Sequence, residues 1–218
     1  MQEVMIERAC ALLADGTVSR VLGWKNGEFA YDPTPAVFDS AEALQKAFVY
    51  NDFCASNLSK YLIKLSRAEG KTLIFVKPCD SYSLNQLLTE HRVKRESIYV
   101  IGVPCDGKVS ENKIRENGVE GVTSITTEGE TVTVHTLYGD TAFQKTDIMD
   151  DRCITCKSKK IVISDEILGE NGEVDADSKR FDQVAQLEAM TPDERYAFWQ
   201  KELSRCIRCN ACRNVCPA

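Results

Sequence analysis

Apolar positions recur along this chain in two rhythms, and each rhythm marks a kind of element. Residues 2–14 carry a helical repeat that stops before Gly16, so an amphipathic helix is expected there. The stretch VSRVLGWKNGEFAY then alternates around Lys25-Asn26-Gly27, the pattern of a β-hairpin turning at those residues. A helix is expected around 41–48. Another runs from about Asn57 to Glu69, where Gly70 supplies a stop.

Two matching units come next. KTLIFVK leads into Pro78-Cys79-Asp80 and the helical stretch SYSLNQLLTEH; SIYVIGV leads into Pro104-Cys105-Asp106-Gly107 and a weaker helix near 109–116. Both strands are continuous apolar runs, as parallel strands covered on both faces require. In an open α/β sheet the ends of such strands are where ligands bind. A second hairpin, VTSITTEGETVTVHTL, is expected to turn at Glu128-Gly129. DDRCITCKSKK then precedes a short strand IVIS, and the acidic stretch DEILGENGEVDADS reads as surface loop. Thr191-Pro192-Asp193-Glu194 forms a capping box with proline at the first helical position, starting a helix through Trp199 and Leu203. The expected fold is α/β: a mixed sheet with flanking helices over 1–175, then a helical segment over 176–218 that enters a small ferredoxin-like motif.

Composition narrows the function. The 218 residues are 43% apolar, enough for a sizeable core. The formal net charge is −6 and no basic stripe occurs, which argues against nucleic acid as a partner. No apolar run reaches the length of a membrane span. Acids interrupt the apolar stretch of MQEVMIERACALLADG, unlike a signal peptide, so a cytoplasmic protein is expected.

Ten cysteines change the picture most. In a reducing compartment, clustered cysteines point to metal rather than to disulfides. The two histidines, His91 and His135, lack ligand-like spacing, so thiolate must hold the metal. Soft four-sulfur sites suit iron–sulfur clusters or zinc. The closing stretch RCIRCNACRNVCPA sets Cys206, Cys209, Cys212 and Cys216 at C-x2-C-x2-C-x3-C-P spacing, with Pro217 behind. That is a 4Fe-4S run, and Arg205, Arg208 and Arg213 would offset the anionic cluster. Zinc sites instead use pairs divided by a longer spacer. In two-cluster ferredoxins the fourth cysteine of such a run serves the other cluster. Cys216 therefore either closes a single cluster or awaits ligands beyond Ala218; the motif favours the second expectation, a longer chain.

Cys79, Cys105, Cys153 and Cys156 form a second set: two from the matching strand-end turns, two from the CITC loop. Together they would supply four thiolates for one 4Fe-4S cluster. Cys79 and Cys105 could instead be small buried residues. CITC lacks the strand-then-helix setting of a thioredoxin-like motif. Cys10 and Cys54 read as packing residues, and the acidic run near 165–177 as a solvated face.

These motifs resemble the beta subunits of deazaflavin (coenzyme F-420) hydrogenases and dehydrogenases, a family that includes formate dehydrogenase beta subunits. The matching stretches are KPCDS at 77–81, VPCDG at 103–107 and DRCITCKSKKIVISDEILGE at 151–170, within roughly residues 40–170. The resemblance implies an iron–sulfur electron-transfer subunit, often also carrying FAD, that works between a catalytic partner and a soluble electron carrier. Flavin-binding members typically show a Ser-Gly-Gly segment where this chain has Cys54-Ala55-Ser56-Asn57, and no G-x-G-x-x-G occurs. The chain departs there from the pattern on which FAD binding would rest.

The combined expectation is an electron-transfer subunit with one to two 4Fe-4S clusters, working with other subunits of a formate dehydrogenase, hydrogenase or heterodisulfide-reductase type of complex. No side chain need act as acid, base or nucleophile, because the cofactor carries the redox chemistry. Two alternatives differ in kind: an FAD-dependent oxidoreductase acting directly on a deazaflavin or nicotinamide carrier, and a non-redox protein stapled by zinc.

Overall fold

A computed structural model describes residues 1–216; Pro217 of the closing motif lies outside the described residues. The apolar runs form the centre of the sheet. After α1 (Gln2–Ala14) the chain builds β1 (Arg20–Lys25), β2 (Thr34–Phe38) and α2 (Ala41–Ala47). A 3-10 turn at Ser59–Tyr61 leads into α3 (Leu62–Leu65), and then come β3 (Thr72–Val76), α4 (Pro78–Thr89) and β4 (Ile98–Gly102). All five residues of β3 are buried, and Tyr99 is the only half-buried position of β4. A two-residue β8 (Glu166–Ile167) completes a five-stranded sheet of order β2-β1-β3-β4-β8. β1, β3, β4 and β8 run parallel and β2 antiparallel, giving the mixed sheet that the sequence predicted. Trp24 and Phe75 are among the largest side chains in its core. Gly23 is there because a Cβ would meet the Phe48 ring at 2.5 Å.

The first hairpin differs from expectation. Lys25 pairs with Thr34, so residues 26–33 form a broad loop and GEFAY is not a strand. The aromatics decide this: Phe29 stacks on Tyr31 with ring centroids 5.2 Å apart, and Tyr31 meets Phe53 edge-on at 6.5 Å. Those contacts draw the loop toward a second core instead of into the ladder. The helix expected from Asn57 to Glu69 is also shorter. It ends at Leu65, and turns carry the chain to Gly70, whose φ of 77° re-enters the sheet.

That second core comprises Phe53, Val109, Ile114, Val132, Val134 and Ile148. Covering it are α5 (Glu111–Glu116), a meander of β5 (Val122–Glu128), β6 (Thr131–Thr136) and β7 (Gly139–Gln144), and α6 (Lys145–Ile148). Glu128 pairs with Thr131, so the hairpin turns at Gly129-Glu130, one residue later than expected. β7 had no clear signal because only Thr141 and Phe143 are even half-buried. Asp52 ties the meander to the main sheet. It pairs with Lys145 at 3.1 Å and Lys108 at 3.7 Å, and accepts a hydrogen bond from Thr127 at 2.8 Å.

The CITC segment opens on a one-turn helix, α7 (Asp151–Ile154), and IVIS is not a strand. Asn171 explains the correction. Its side chain accepts from the Ile161 amide at 2.8 Å and donates to the Ile161 carbonyl at 3.0 Å, so a side chain takes the place of a sheet neighbour. The Val162 amide donates to Ser81 Oγ at 3.1 Å. Asn171→Ala strands both Ile161 backbone groups and should cost about 1–3 kcal/mol. The urea midpoint checks this, and Asn171→Asp, which keeps the acceptor, should retain part of the loss.

Asp165 and Glu166 are not merely a solvated face. Asp165 accepts from the Val100 amide at 2.7 Å and pairs with Arg95 at 2.6 Å, while Glu166 pairs with Arg8 at 2.8 Å. Beyond them lie α8 (Asp182–Ala189), which the sequence did not announce, α9 (Pro192–Leu203) and α10 (Ala211–Val215). The α9 capping box forms as expected, with both reciprocal hydrogen bonds between Thr191 and Glu194.

Candidate metal centre

The sheet itself brings the first two cysteines together. β3 and β4 pair in register with Val76 opposite Gly102, and Cys79 and Cys105 each lie three residues beyond that pair. The two Pro-Cys-Asp turns nevertheless differ in conformation. Pro78 occupies the first helical position of α4, so Cys79 sits in its first turn, held by Ser81 Oγ donating to the Pro78 carbonyl at 2.7 Å. After β4 the chain stays irregular, because Gly107 at φ 109° turns it away and leaves no room for a Cβ against Met149. Val109 then bridges to Met149, and the Asp150 amide donates to the Lys108 carbonyl at 2.8 Å. That pairing carries α7 and the CITC loop to the strand ends.

Cys79, Cys105, Cys153 and Cys156 therefore line one pocket of about 260 Å³. Three separated segments of chain supply them. Cys79 opens into the pocket and is exposed there, while protein crowded behind it, with Asp80 alongside, pushes its thiol up to about 12. Cys105 and Cys156 both act on Cys79 electrostatically. The Cys153 thiol is raised too, first by burial and then by Cys105, against a lowering hydrogen bond from the Lys108 backbone. All four thiols are free.

Basic side chains surround this set. Lys77, Lys108, Arg152, Lys157, Lys159 and Arg180 line the pocket, with Asp80 as the acid among its lining residues. A chain of net charge −6 thus gathers cations where four thiolates would meet. Two of the lysines are buried, each over an aromatic ring. Lys77 Nζ lies 4.8 Å from the Trp24 ring centre and Lys108 Nζ 4.3 Å from that of Tyr50, the two rings being 5.6 Å apart. Lys77 also pairs with Asp80 at 2.6 Å and donates to the Ser56 carbonyl at 3.1 Å.

Among the described residues, no three or more His, Cys, Asp or Glu side chains converge tightly enough to chelate a single metal ion. A cubane makes a different demand. Its ligands bind separate corners of a bulky anionic core, so thiols spread around a cation-lined pocket suit it better than a mononuclear zinc site.

Comparison with known proteins agrees with the sequence motifs. No family model matches the chain. It is 32% identical over 98 residues to the F420-dependent formate dehydrogenase 1 subunit beta of Methanococcus maripaludis. It is 28% identical over 99 residues to the F420-dependent formate dehydrogenase subunit beta of Methanocaldococcus jannaschii. The chain resembles those beta subunits. Each match covers 45% of this chain but only about a quarter of the relative's length: 25% and 26% respectively. A chain of the F420-reducing [NiFe] hydrogenase complex from Methanosarcina barkeri shares the fold, with TM-score 0.60 and 14% identity over 92% of this chain and 84% of that one.

The other cysteines fall as follows. Cys10 lies on α1, half-buried, with its sulfur 4.0 Å from the Ala41 carbonyl at the start of α2. Cys54 is fully buried in the main core, and burial raises its thiol. Both placements fit packing roles. Cys206, Cys209, Cys212 and Cys216 are all exposed. Arg208 at φ 57° and Asn210 at φ 61° curl their loop, and the Arg208 amide donates to Cys206 Sγ at 3.4 Å. An amide aimed at a cysteine sulfur suits a cluster ligand. His135 pairs with Asp140 at 3.0 Å, away from either set.

The basic lining was missed in the sequence, though a signal for it existed. Lysine or arginine stands within three residues of each of the four body cysteines, in KPC, CDGK, DRC and CKSKK. Among the described residues, no helix is long and apolar enough to cross a membrane.

Proposed function

We propose that this chain is an iron–sulfur electron-transfer subunit of an oxidoreductase assembly. Cys79, Cys105, Cys153 and Cys156 hold one 4Fe-4S cluster, and Cys206, Cys209 and Cys212, with Cys216, begin a second. The observation that carries this reading is the convergence of four cysteines from three segments in one cation-lined pocket. A bound cluster supplies one-electron transfer.

The chain's own residues do the rest. Thiols with raised pKa values give up protons when metal binds, so loading the pocket releases protons. Lys108, Arg152, Lys157 and Arg180 offset the anionic charge that four thiolates bring. The beta-subunit likeness supports a place beside a catalytic partner and a soluble electron carrier.

Anaerobic purification with iron and acid-labile sulfide analysis is the test. The expected product is brown, bleaches on reduction, and holds about eight iron atoms with matching sulfide, or about four if the tail motif stays unfilled. Zinc without sulfide would establish the stapled protein instead. Stoichiometric flavin without iron would establish the flavoenzyme.

A further inference from the structure

The segment after residue 174 returns to the body at two places. At its start, the Asp175 amide donates to the Lys157 carbonyl at 3.1 Å, and Ser178 Oγ donates to the Thr155 carbonyl at 2.7 Å. Thr155 lies between Cys153 and Cys156. Lys157 Nζ stands 5.7 Å over the Phe181 ring, and Arg180 joins the pocket lining. This end is therefore clasped to the CITC loop.

The far end is held from the opposite wall. Lys60 Nζ donates to the Asn214 carbonyl at 2.9 Å, in the last turn of α10. Carbonyls there lack intrahelical partners, and a cation at a helix C-terminus is favourable. Lys60 belongs to the 3-10 turn whose Ser59 Oγ donates to the Asp80 carbonyl at 3.3 Å, one residue from Cys79. Asn57, just before that turn, lines the pocket. The two holds thus grip the pocket from the Cys153–Cys156 side and from behind Cys79.

We propose that Lys60 and Ser178 are positioning residues that dock residues 175–216 as an arm on the pocket wall, seating the tail cysteines beside the body set. Neither hold is strong by itself, since each is a partly exposed polar contact. The arm is covalently tethered, however, so docking is intramolecular and weak contacts suffice. Its magnetic readout below rests on the two-cluster reading above; its exchange readout does not.

Two measurements on the full chain test it. In the fully reduced, iron-loaded protein, electron paramagnetic resonance should show a spectrum broadened by interaction between two clusters. Lys60→Glu combined with Ser178→Ala should resolve it into two independent signals at unchanged iron content, whereas Lys60→Arg, which keeps the donor, should preserve the broadening. Independently of iron, amide hydrogen exchange over residues 211–215 should quicken on the order of fivefold in Lys60→Glu, as loss of one such contact implies. Exchange unchanged by Lys60→Glu overturns the arm, as does broadening that survives the double replacement. Iron-free protein whose exchange responds as expected would instead overturn the cluster reading and leave the docking standing.

Discussion

Cys79→Ser and Cys153→Ser should each lower iron and sulfide by about four atoms per chain, by removing the same cluster. The two residues stand far apart in sequence, on α4 and α7, yet line one pocket, and both are coupled electrostatically to Cys105. A cubane that loses one of four thiolates here has no obvious replacement: Cys54 is sealed in the core and Cys10, on α1, packs toward α2. Cys10→Ser should therefore leave the iron content at the wild-type value. The double variant Cys79→Ser/Cys153→Ser should lose no more iron than either single variant, because both act on one site. Independent, additive losses would show that the two cysteines serve different centres. Iron and sulfide determination with quantitative spin counting settles the matter.

Asp80→Ala should destabilise the protein by about 3–5 kcal/mol, the usual cost of leaving a buried charge without its partner. Lys77 and Asp80 are 2.6 Å apart, with side chains only 2% and 5% exposed. Burial tends to lower the Lys77 pKa, but the attraction and hydrogen bond of Asp80 outweigh it, so the ammonium is held above its ordinary value. A lysine whose folded pKa is raised contributes stability that is fully present at neutral pH and is lost only as pH rises through that raised value. Wild type should therefore keep this contribution from about pH 6 to about pH 9, whereas in Asp80→Ala burial lowers the Lys77 pKa, so the gap should narrow as pH rises. Replacing both partners by apolar residues, Lys77→Met with Asp80→Leu, should recover most of the loss, since the desolvation cost disappears with the charges. Unfolding in urea, followed by circular dichroism, measures all three proteins. A single variant as stable as wild type would mean that the pair contributes nothing net.

Several elements are legible from local chemistry alone. Continuous apolar runs define β3 and β4, Thr191-Pro192-Asp193-Glu194 starts α9, and Pro78 opens α4 just after a strand. The sequence also put cysteines at the two strand ends and in CITC, as well as in the tail motif, because residue identity and spacing need no folding to be read. How these pieces meet depends on contacts between distant segments. The Val76–Gly102 register sets Cys79 level with Cys105, and the Val109–Met149 bridge carries CITC across to join them. The same long-range forces overruled local pattern elsewhere. Asn171 took the backbone bonds of Ile161 that a strand would have used, and Phe29 and Tyr31 opened the first hairpin by packing toward Phe53. Periodicity reports which face of an element is apolar. Which partner covers that face depends on burial and backbone hydrogen bonding across the whole chain, which no local window contains.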